Sequence, residues 1–414
     1  MNKPKGTKDL FGEEIDIYNN LINYIQKKCN EFNYYKIETP IFESLELFKR
    51  IGEDTDVVNK EMYIFEDKSN RKMALRPEGT ASIARAIIEN KFINLDSDLP
   101  LRLYYIGDMF RYERPQSGRF RQFKQFGVEL YSQKNPYYDF EVIQLIDSIF
   151  KGLNLDNYIF KINSIGSFET RKTYISKIRP LLEKNASKLS EVSKKNIERN
   201  ILRILDSKDK NDIRIVATLP KIYDYLTIEE RKYFDTLVKL FKQFKIKYEI
   251  DDTLVRGLDY YNDFVFEVSE SVNDKSILGG GRYDNLLKSL GGNDYSAIGF
   301  ALGLERLIDL YSKSNSNKLL IEKKDIVYIG TLDEKSFEFA YNNISRSGLN
   351  IYLEYNFNKK LKYHFSKSDK LNSNYTIILG NKDLEKKEFT IKNNLTKKIT
   401  NHPIENFLKL NIFK

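Results

Sequence analysis

At 414 residues the chain exceeds what one hydrophobic core usually serves, so two or three domains are expected, and its 41% hydrophobic residues are enough to bury them. The net charge of +9, from 68 Lys and Arg against 59 Asp and Glu, favours polyanionic partners without identifying one. One cysteine excludes an internal disulfide framework and fits a reducing compartment, while two histidines without a Cys/His cluster argue against zinc ligation and histidine-based acid–base catalysis. The start, MNKPKGTKD, lacks an apolar signal core, and no run approaches the ~18 apolar residues of a membrane helix. A soluble, cytoplasmic chain with no membrane contact is therefore expected.

Residues Glu13 to Phe32 place apolar side chains at helical spacing. Tyr35 to Phe42 (YKIETPIF) reads as a strand interrupted by Pro40, which strand interiors rarely tolerate, so an edge or an interface is expected there. Arg76 to Thr80 (RPEGT) reads as a loop feeding a helix with Ile83, Ala84 and Ile87 on its apolar face. Glu78 and Thr80 fit either a helix cap or a pair that holds an ammonium group.

From Leu103 to Tyr131 two strands are joined by an arginine-rich loop. Period-2 parity puts Arg111 and Glu113 in register with Gly107 and Met109. On the return strand Arg121, Phe123, Gln125 and Glu129 alternate with Phe120, Phe126, Val128 and Leu130, which makes one face apolar and the other a polar cup beneath a Pro-Gln-Ser-Gly turn. Arg111 and Arg121 offer permanently charged planar forks to phosphates, Phe123 offers a ring to a base, and Glu113 an acceptor to an exocyclic amine. A solvated cross-strand ladder of ion pairs is the plainer alternative. The set suits a nucleotide plus an amine.

Residues 170 to 247 are rich in Lys, Glu, Ser and Asn at helical period and read as a helical insertion. Strand character returns at Tyr248 and continues through LVRGLDYYNDFVFEV, where Arg256, Tyr260 and Tyr261 form either a pocket wall or a core with satisfied hydroxyls. Gly279 to Gly281 reads as a turn into Tyr283. In Ala297 to Arg306 (AIGFALGLER) one strand face carries only Gly and Ala, a flat floor that admits a ring or backbone, or else a tight packing seam; Arg306 opens the next helix. Ser312 to Asn317 marks a linker. The last ~90 residues alternate strand and helix as a small α/β domain with a mostly parallel sheet. Its lysines 359, 360, 362, 367 and 370 fit a solvated helix face or phosphate contacts. Neither a P-loop nor a Rossmann fingerprint is present.

Together these segments resemble the signature motifs of class II aminoacyl-tRNA synthetases, and LVRGLDYYNDFVFEV and GGGRYDNLL resemble the histidine-specific motifs of the histidyl-tRNA synthetase family. The resemblance spans essentially the whole chain: PKGTKDL, motif 1 around Pro40 to Ile64, RPEGT, motif 2 in the hairpin, INSIGS, NILRILDSKD, motif 3 at Gly299 to Arg306, and the C-terminal module. It implies an α+β catalytic domain over residues 1–324, with an antiparallel six-stranded sheet flanked by helices and the insertion at 170–247. A C-terminal α/β anticodon-binding domain over 325–414 and a homodimer formed through motif 1 are also implied. The implied activity is ATP-dependent attachment of histidine to its tRNA, tRNA(His), through a histidyl-adenylate, with Mg²⁺ arriving on ATP rather than in a protein cage.

Carried over residue by residue, the resemblance assigns Arg111 and Arg256 to the α-phosphate as the catalytic pair, Arg119 and Arg306 to the γ-phosphate, and Phe123 to stacking on adenine. Glu113 falls near the adenine and Arg121 on the nucleotide side. Glu78, Thr80 and Gln125 hold the histidine α-ammonium; Glu129 and Tyr261 clamp the imidazole, with Tyr260 beside them and Tyr283 closing the pocket. Gln116 and Arg119 face the tRNA acceptor end, and Lys359 and Lys360 the tRNA backbone. The imidazole assignment has physical support, because neutral imidazole offers one donor and one acceptor on opposite edges, which a phenol and a carboxylate satisfy together. Tyr112 and Lys124 depart from a pattern in which histidine is often seen. Two rivals exist. One is the catalytically silent paralogue that regulates ATP phosphoribosyltransferase and binds histidine, against which stand the C-terminal domain and the set Arg111, Arg256 and Arg306. The other is a threonyl, prolyl or glycyl synthetase, which would lack the Arg256 to Tyr261 segment.

Overall fold

Chain contacts divide a computed structural model of the protein into two compact units, Met1–Leu320 and Ile321–Lys414. The structure describes residues 1–52, 57–94, 98–114, 119–257, 260–271, 275–314, 326–344, 349–356 and 359–409. Among them no helix is long and apolar enough to cross a membrane.

In the first unit the helical spacing after Gly12 becomes α1 (Glu13–Glu31), which turns Tyr18, Leu21, Ile25 and Cys29 inward. The stretch expected as one strand is two, β1 (Tyr35–Lys36) and β2 (Phe42–Ser44), which enter different sheets. Pro40 lies in the crossing between them, where its missing N–H breaks no ladder. After α2 (Leu45–Gly52), β3 (Ile64–Glu66) and β4 (Lys72–Leu75) join β2 in a small antiparallel sheet ordered β2-β4-β3. Helix α3 (Thr80–Glu89) buries Ile83, Ala84 and Ile87 as its spacing predicts.

The hairpin is β5 (Leu101–Phe110) and β6 (Gln122–Ser132), with Gly107 opposite Gln125 and Leu103 opposite Glu129. Next come α4 (Pro136–Gly152), capped by Asn135, and β7 (Tyr158–Ser164). Four longer helices, α5 (Phe168–Lys184), α6 (Glu191–Arg199), α7 (Lys210–Val216) and α8 (Ile228–Gln243), precede β8 (Tyr248–Ile250) and β9 (Asn262–Glu270). The unit closes with β10 (Ser276–Arg282), α9 (Leu286–Ser289), β11 (Ser296–Gly303) and α10 (Leu304–Ser314). The large sheet runs β1-β5-β6-β11-β10-β9-β7-β8. Its six central strands pair antiparallel throughout, and one short parallel strand extends each edge. Phe126, Val128, Leu130, Phe266, Ile298 and Phe300 on one face pack with α1, α4 and α8, which leaves the opposite face for polar groups.

Several sequence expectations are corrected. Gly279 to Gly281 is not a turn but lies within β10, where a Cβ at Gly280 would collide with the Gly299 carbonyl, the Phe266 ring and the Cβ of Phe300. Leu254 to Gly257, with Tyr260 and Tyr261, are loop rather than a continuing strand, because a turn on Asp251, whose carboxylate accepts from Thr253 N at 3.0 Å, ends β8; residues 258 and 259 lie outside the described residues. Arg111 and Glu113 lie beyond the end of β5. Pairing continues through Arg111 N to Arg121 O at 2.9 Å, after which Tyr112 N turns to Glu61 O. The helical stretch is not uniform either. Tyr174, Ile178, Ile197 and Ile215 of α5 to α7 share one cluster, whereas Phe234, Leu237 and Phe241 of α8 join the main core.

The second unit contains β12 (Ile326–Thr331), α11 (Glu334–Ile344), β13 (Asn350–Glu354), α12 (Leu361–Lys370), β14 (Tyr375–Leu379), α13 (Asn381–Lys386), β15 (Glu388–Asn393) and β16 (Ile399–Pro403). The sheet order is β13-β12-β14-β15-β16. Only the first three strands are parallel, so the sheet is mixed rather than mostly parallel. Of the expected linker, Ser312 to Ser314 end α10, and residues 315 to 317 lie outside the described residues.

Candidate active site

A cavity of about 330 Å³ opens on the polar face of the large sheet. Its wall includes Glu78, Thr80, Arg111, Glu113, Arg119, Phe123, Gln125, Glu129, Arg256, Tyr260, Tyr261, Tyr283 and Arg306, with Gly299, Ala301 and Gly303 of β11 among the lining residues. Strand parity delivers the side chains of β6 and β11, and the start of α3, the loop residues around Arg256 and the end of β10 complete the wall, five chain segments in all; Phe120, expected on the apolar face, also lines it, because it precedes β6. Arg121 is not in the wall: its guanidinium carbon lies 3.8 Å from the Tyr112 ring centroid, and its Nε donates to Glu113 O at 3.3 Å. The chain leaves the strand geometry at Arg111, which frees Tyr112 to draw that guanidinium aside. Gln116 lies outside the described residues, and Lys359 and Lys360 belong to the second unit.

One end of the cavity is cationic and aromatic. Arg111 Nε donates to Pro77 O at 2.8 Å, and its guanidinium carbon sits 5.5 Å from the Phe123 ring centroid. Arg119 reaches Glu113 at 3.3 Å. Arg306 Nη1 donates to Ser276 O at 3.0 Å, and burial, with Arg119 nearby, lowers its pKa. These guanidiniums share few protein anions, which leaves them for a polyanionic ligand.

The other end is built around Glu129, which is 1% exposed. Thr80 Oγ1 donates to Glu129 Oε1 at 2.7 Å, and the Tyr283 hydroxyl donates to Oε2. Burial pushes the Glu129 pKa up to about 8, although these two donors work against the rise. Glu78 accepts from the backbone N–H groups of Thr80 and Ala81 at 2.8 Å each, so it does cap α3 while bordering the cavity. Tyr260 and Tyr261 have ring centroids 4.8 Å apart, and both pack edge-on against Tyr283.

Several supporting residues were missed by the sequence reading. Tyr105 donates to Gln125 Oε1 at 2.9 Å; its parity with Gly107 and Met109 was the available signal. Glu267 receives Arg256 Nη1 at 3.0 Å and stands out as the one charge in the apolar run FVFEV. Glu305 accepts from Lys124 N at 2.8 Å and so ties the start of α10, and Arg306 with it, to β6. Arg282 and Tyr283 are neighbours that point to opposite faces: Arg282, fully buried, pairs with Asp139 of α4 and with Asp284 at 2.8 Å. Among the described residues no group of three or more His, Cys, Asp and Glu is placed to hold a metal; the cavity wall offers only the separate carboxylates Glu113 and Glu305 toward its cationic end.

An antiparallel six-stranded sheet that presents these arginines and a Gly/Ala floor on one face is the catalytic fold of class II aminoacyl-tRNA synthetases. The family profile described as histidyl-tRNA synthetase matches residues 6–307, and that of an anticodon binding domain matches residues 326–410. The histidine–tRNA ligase of Malacoplasma penetrans (strain HF-2) is 44% identical over 404 residues, which span 96% of this chain and 94% of that relative. The histidine–tRNA ligase of Lactococcus lactis subsp. cremoris (strain MG1363) is 41% identical over the same length, with the same shares. The crystal structure of apo S. aureus histidyl-tRNA synthetase matches with a TM-score of 0.81 at 30% identity, covering 99% of this chain and 98% of that one. The chain belongs to the histidyl-tRNA synthetase family.

Proposed function

We infer that this protein attaches histidine to tRNA(His), first joining histidine to the adenylate of ATP and then passing it to the tRNA. The observation that carries the reading is one cavity with two chemically opposite ends, guanidiniums and Phe123 at one and the buried Glu129, Thr80 and Tyr283 cluster at the other. The histidine carboxylate attacks the α-phosphorus in line, a bond to oxygen forms, and pyrophosphate departs. Arg111 and Arg256 hold the charge that grows on the α-phosphate, and Arg119 and Arg306 orient the departing phosphates. Positioning and charge stabilisation suffice, and no side-chain nucleophile is needed. The 3′-terminal hydroxyl of the tRNA then attacks the adenylate carbonyl, giving up its proton as AMP leaves.

Glu129 and Tyr261 clamp the imidazole edges in this reading, and Glu78, Thr80 and Gln125 take the α-ammonium. An amino acid that cannot pair with these buried groups leaves them unsatisfied, which disfavours it by orders of magnitude. Magnesium, when bound with ATP, neutralises phosphate charge. Isolated carboxylates such as Glu113 and Glu305 fit a cation that draws most of its ligands from phosphates and water.

We assign catalysis to residues 1–324 and anticodon reading to 325–414, with Gln116, Lys359 and Lys360 toward the tRNA. A homodimer through the motif 1 region is supported by the exposed apolar side chains Tyr35, Ile41, Phe42, Ile64 and Phe65. A cytoplasmic location accords with buried, unpaired Cys29. The test is amino-acid-dependent exchange of pyrophosphate into ATP, run with each amino acid in turn. Exchange with histidine alone is expected; exchange with none, in folded protein, would instead favour the histidine-binding regulatory paralogue.

A further inference from the structure

The loop residues Arg256 and Tyr261, which line the cavity, border open space on their outer side as well. A second cavity of about 380 Å³ lies there, walled by Ile165, Phe168, Ile175 and Leu202 together with the loop's own Val255. Across that space two guanidiniums of the helical segment reach the loop's backbone. Arg171 of α5 donates from Nη1 to the Tyr261 carbonyl at 2.9 Å, and Arg203 donates from Nη2 to the Gly257 carbonyl at 3.0 Å. One bond therefore falls on Tyr261 itself and the other on the residue that follows Arg256.

Both arginines stand on fixed ground. Helix α5 is capped by Ser167, whose N–H donates to Glu230 of α8 at 2.8 Å, and Thr170 Oγ1 donates to the same carboxylate. Through the apolar face of α8 that anchor continues into the main core. Arg203 lies in the short helical turn Ile201–Ile204, whose neighbours are gathered by the buried carboxylate of Asp212: Ser190, Ser193 and Ser207 donate to its Oδ2 at 2.7, 2.6 and 2.7 Å. Charge-assisted bonds from anchored guanidiniums to backbone carbonyls fix a loop more firmly than neutral ones. Histidine selection needs that firmness, since small displacements of clamping groups are costly.

We propose that Arg171 and Arg203 are positioning residues for the amino-acid half of the site: they set the backbone from which Arg256 and Tyr261 reach the substrate, so that histidine binding depends on the helical segment. The proposal rests on the functional reading above. It is tested with Arg171→Ala, Arg203→Ala, the double variant, and Arg171→Lys and Arg203→Lys, measuring KM for histidine and for ATP separately in pyrophosphate exchange, with melting followed by circular dichroism. Each alanine variant is expected to raise the histidine KM on the order of tenfold, and the double variant further. KM for ATP should stay within about twofold, and the lysine variants, which keep one donor, should recover part of the loss. An unchanged histidine KM in the double variant, or equal rises in both KM values, overturns the proposal. If an alanine variant loses its cooperative melt, the lysine variants carry the same comparison. Calorimetric titration with histidine separates the two ideas. A parent that binds histidine without exchange defeats the functional reading while variant affinities still decide the clamp, and a parent that binds none overturns both.

Discussion

Glu129 sits where its own charge is least welcome, and that fact yields a pH signature. Its folded-state pKa, raised by burial to about 8, exceeds the ordinary 4.5, so the folded chain binds a proton that the unfolded chain has released. The stability this proton contributes is complete below pH 4.5 and is lost as pH rises toward 8. Glu129→Gln cannot lose it. The variant's melting temperature minus the parent's should therefore climb between pH 5 and 8, while histidine-dependent exchange falls by about a hundredfold or more. Asp139, raised by burial to about 7, titrates in both proteins and cancels in the difference. A flat difference, or retained histidine turnover, removes the clamp. In the proposed clamp, a carboxyl poised this way and an imidazole with an ordinary pKa near 6.5 would share one proton between them, which a neutral or permanently charged side chain cannot reproduce. Arg256 makes a separate prediction: Arg256→Ala should slow single-turnover adenylate formation about 10²- to 10³-fold with an unchanged melt, and a near-parental rate would take the residue out of catalysis.

At the scale of elements, β10 and β11 explain both what sequence reveals and what it hides. A Cβ at Gly299 collides with the Glu129 carboxylate and the Val128 carbonyl, whereas one at Gly303 meets nothing within 4 Å. Gly299→Ala should then raise the histidine KM about tenfold or more, and Gly303→Ala should leave it near the parent's; equal effects would make the small-residue floor mere packing. The hairpin and this floor were legible because one buried face imposes strict alternation. That is why Phe126, Val128 and Leu130 fall in the core while Phe123, Gln125 and Glu129 reach the cavity. Gly279 to Gly281 misled because glycines demanded by close sheet neighbours look, in sequence, like glycines demanded by a turn. The loop residues around Gly257 and Tyr261 misled because they are held by the Asp251 turn and by Arg171 and Arg203, each remote from the local pattern or hidden in it. Two-residue β1 and three-residue β8 carry no periodic signal at all, and only pairing with β5 and β7 defines them.

At the scale of the molecule, charge and apolar surface divide the work. The exposed lysines 359, 360, 362 and 370 on and before α12 lie in the unit matched by the anticodon binding domain profile. Neutralising them should spare adenylation, weaken tRNA charging, and flatten its salt dependence by roughly one unit of slope for each phosphate no longer neutralised. Charging that is untouched would leave them a solvated helix face. The apolar patch makes the opposite kind of prediction, because its disruption should reach the catalytic cavity. Phe42 and Phe65 pack edge-to-face on the small sheet, with Ile64 exposed beside them. That sheet is joined to the catalytic strands at two points: Arg76, next after β4, bonds Asp108 O of β5 at 2.9 Å and Thr39 O at 2.8 Å, and Tyr112 N, adjacent to Arg111, bonds Glu61 O at 2.6 Å. In the proposed homodimer, a second copy seated on the patch would thus steady the backbone that aims Arg111. Ile64→Asp combined with Phe65→Asp should sediment as a monomer at concentrations where the parent is a dimer, and its adenylate formation should fall by about tenfold or more. A dimeric variant would place the interface elsewhere. A monomer with parental activity would break the link from the patch to Arg111, because the two backbone ties would then hold the arginine without help from a partner.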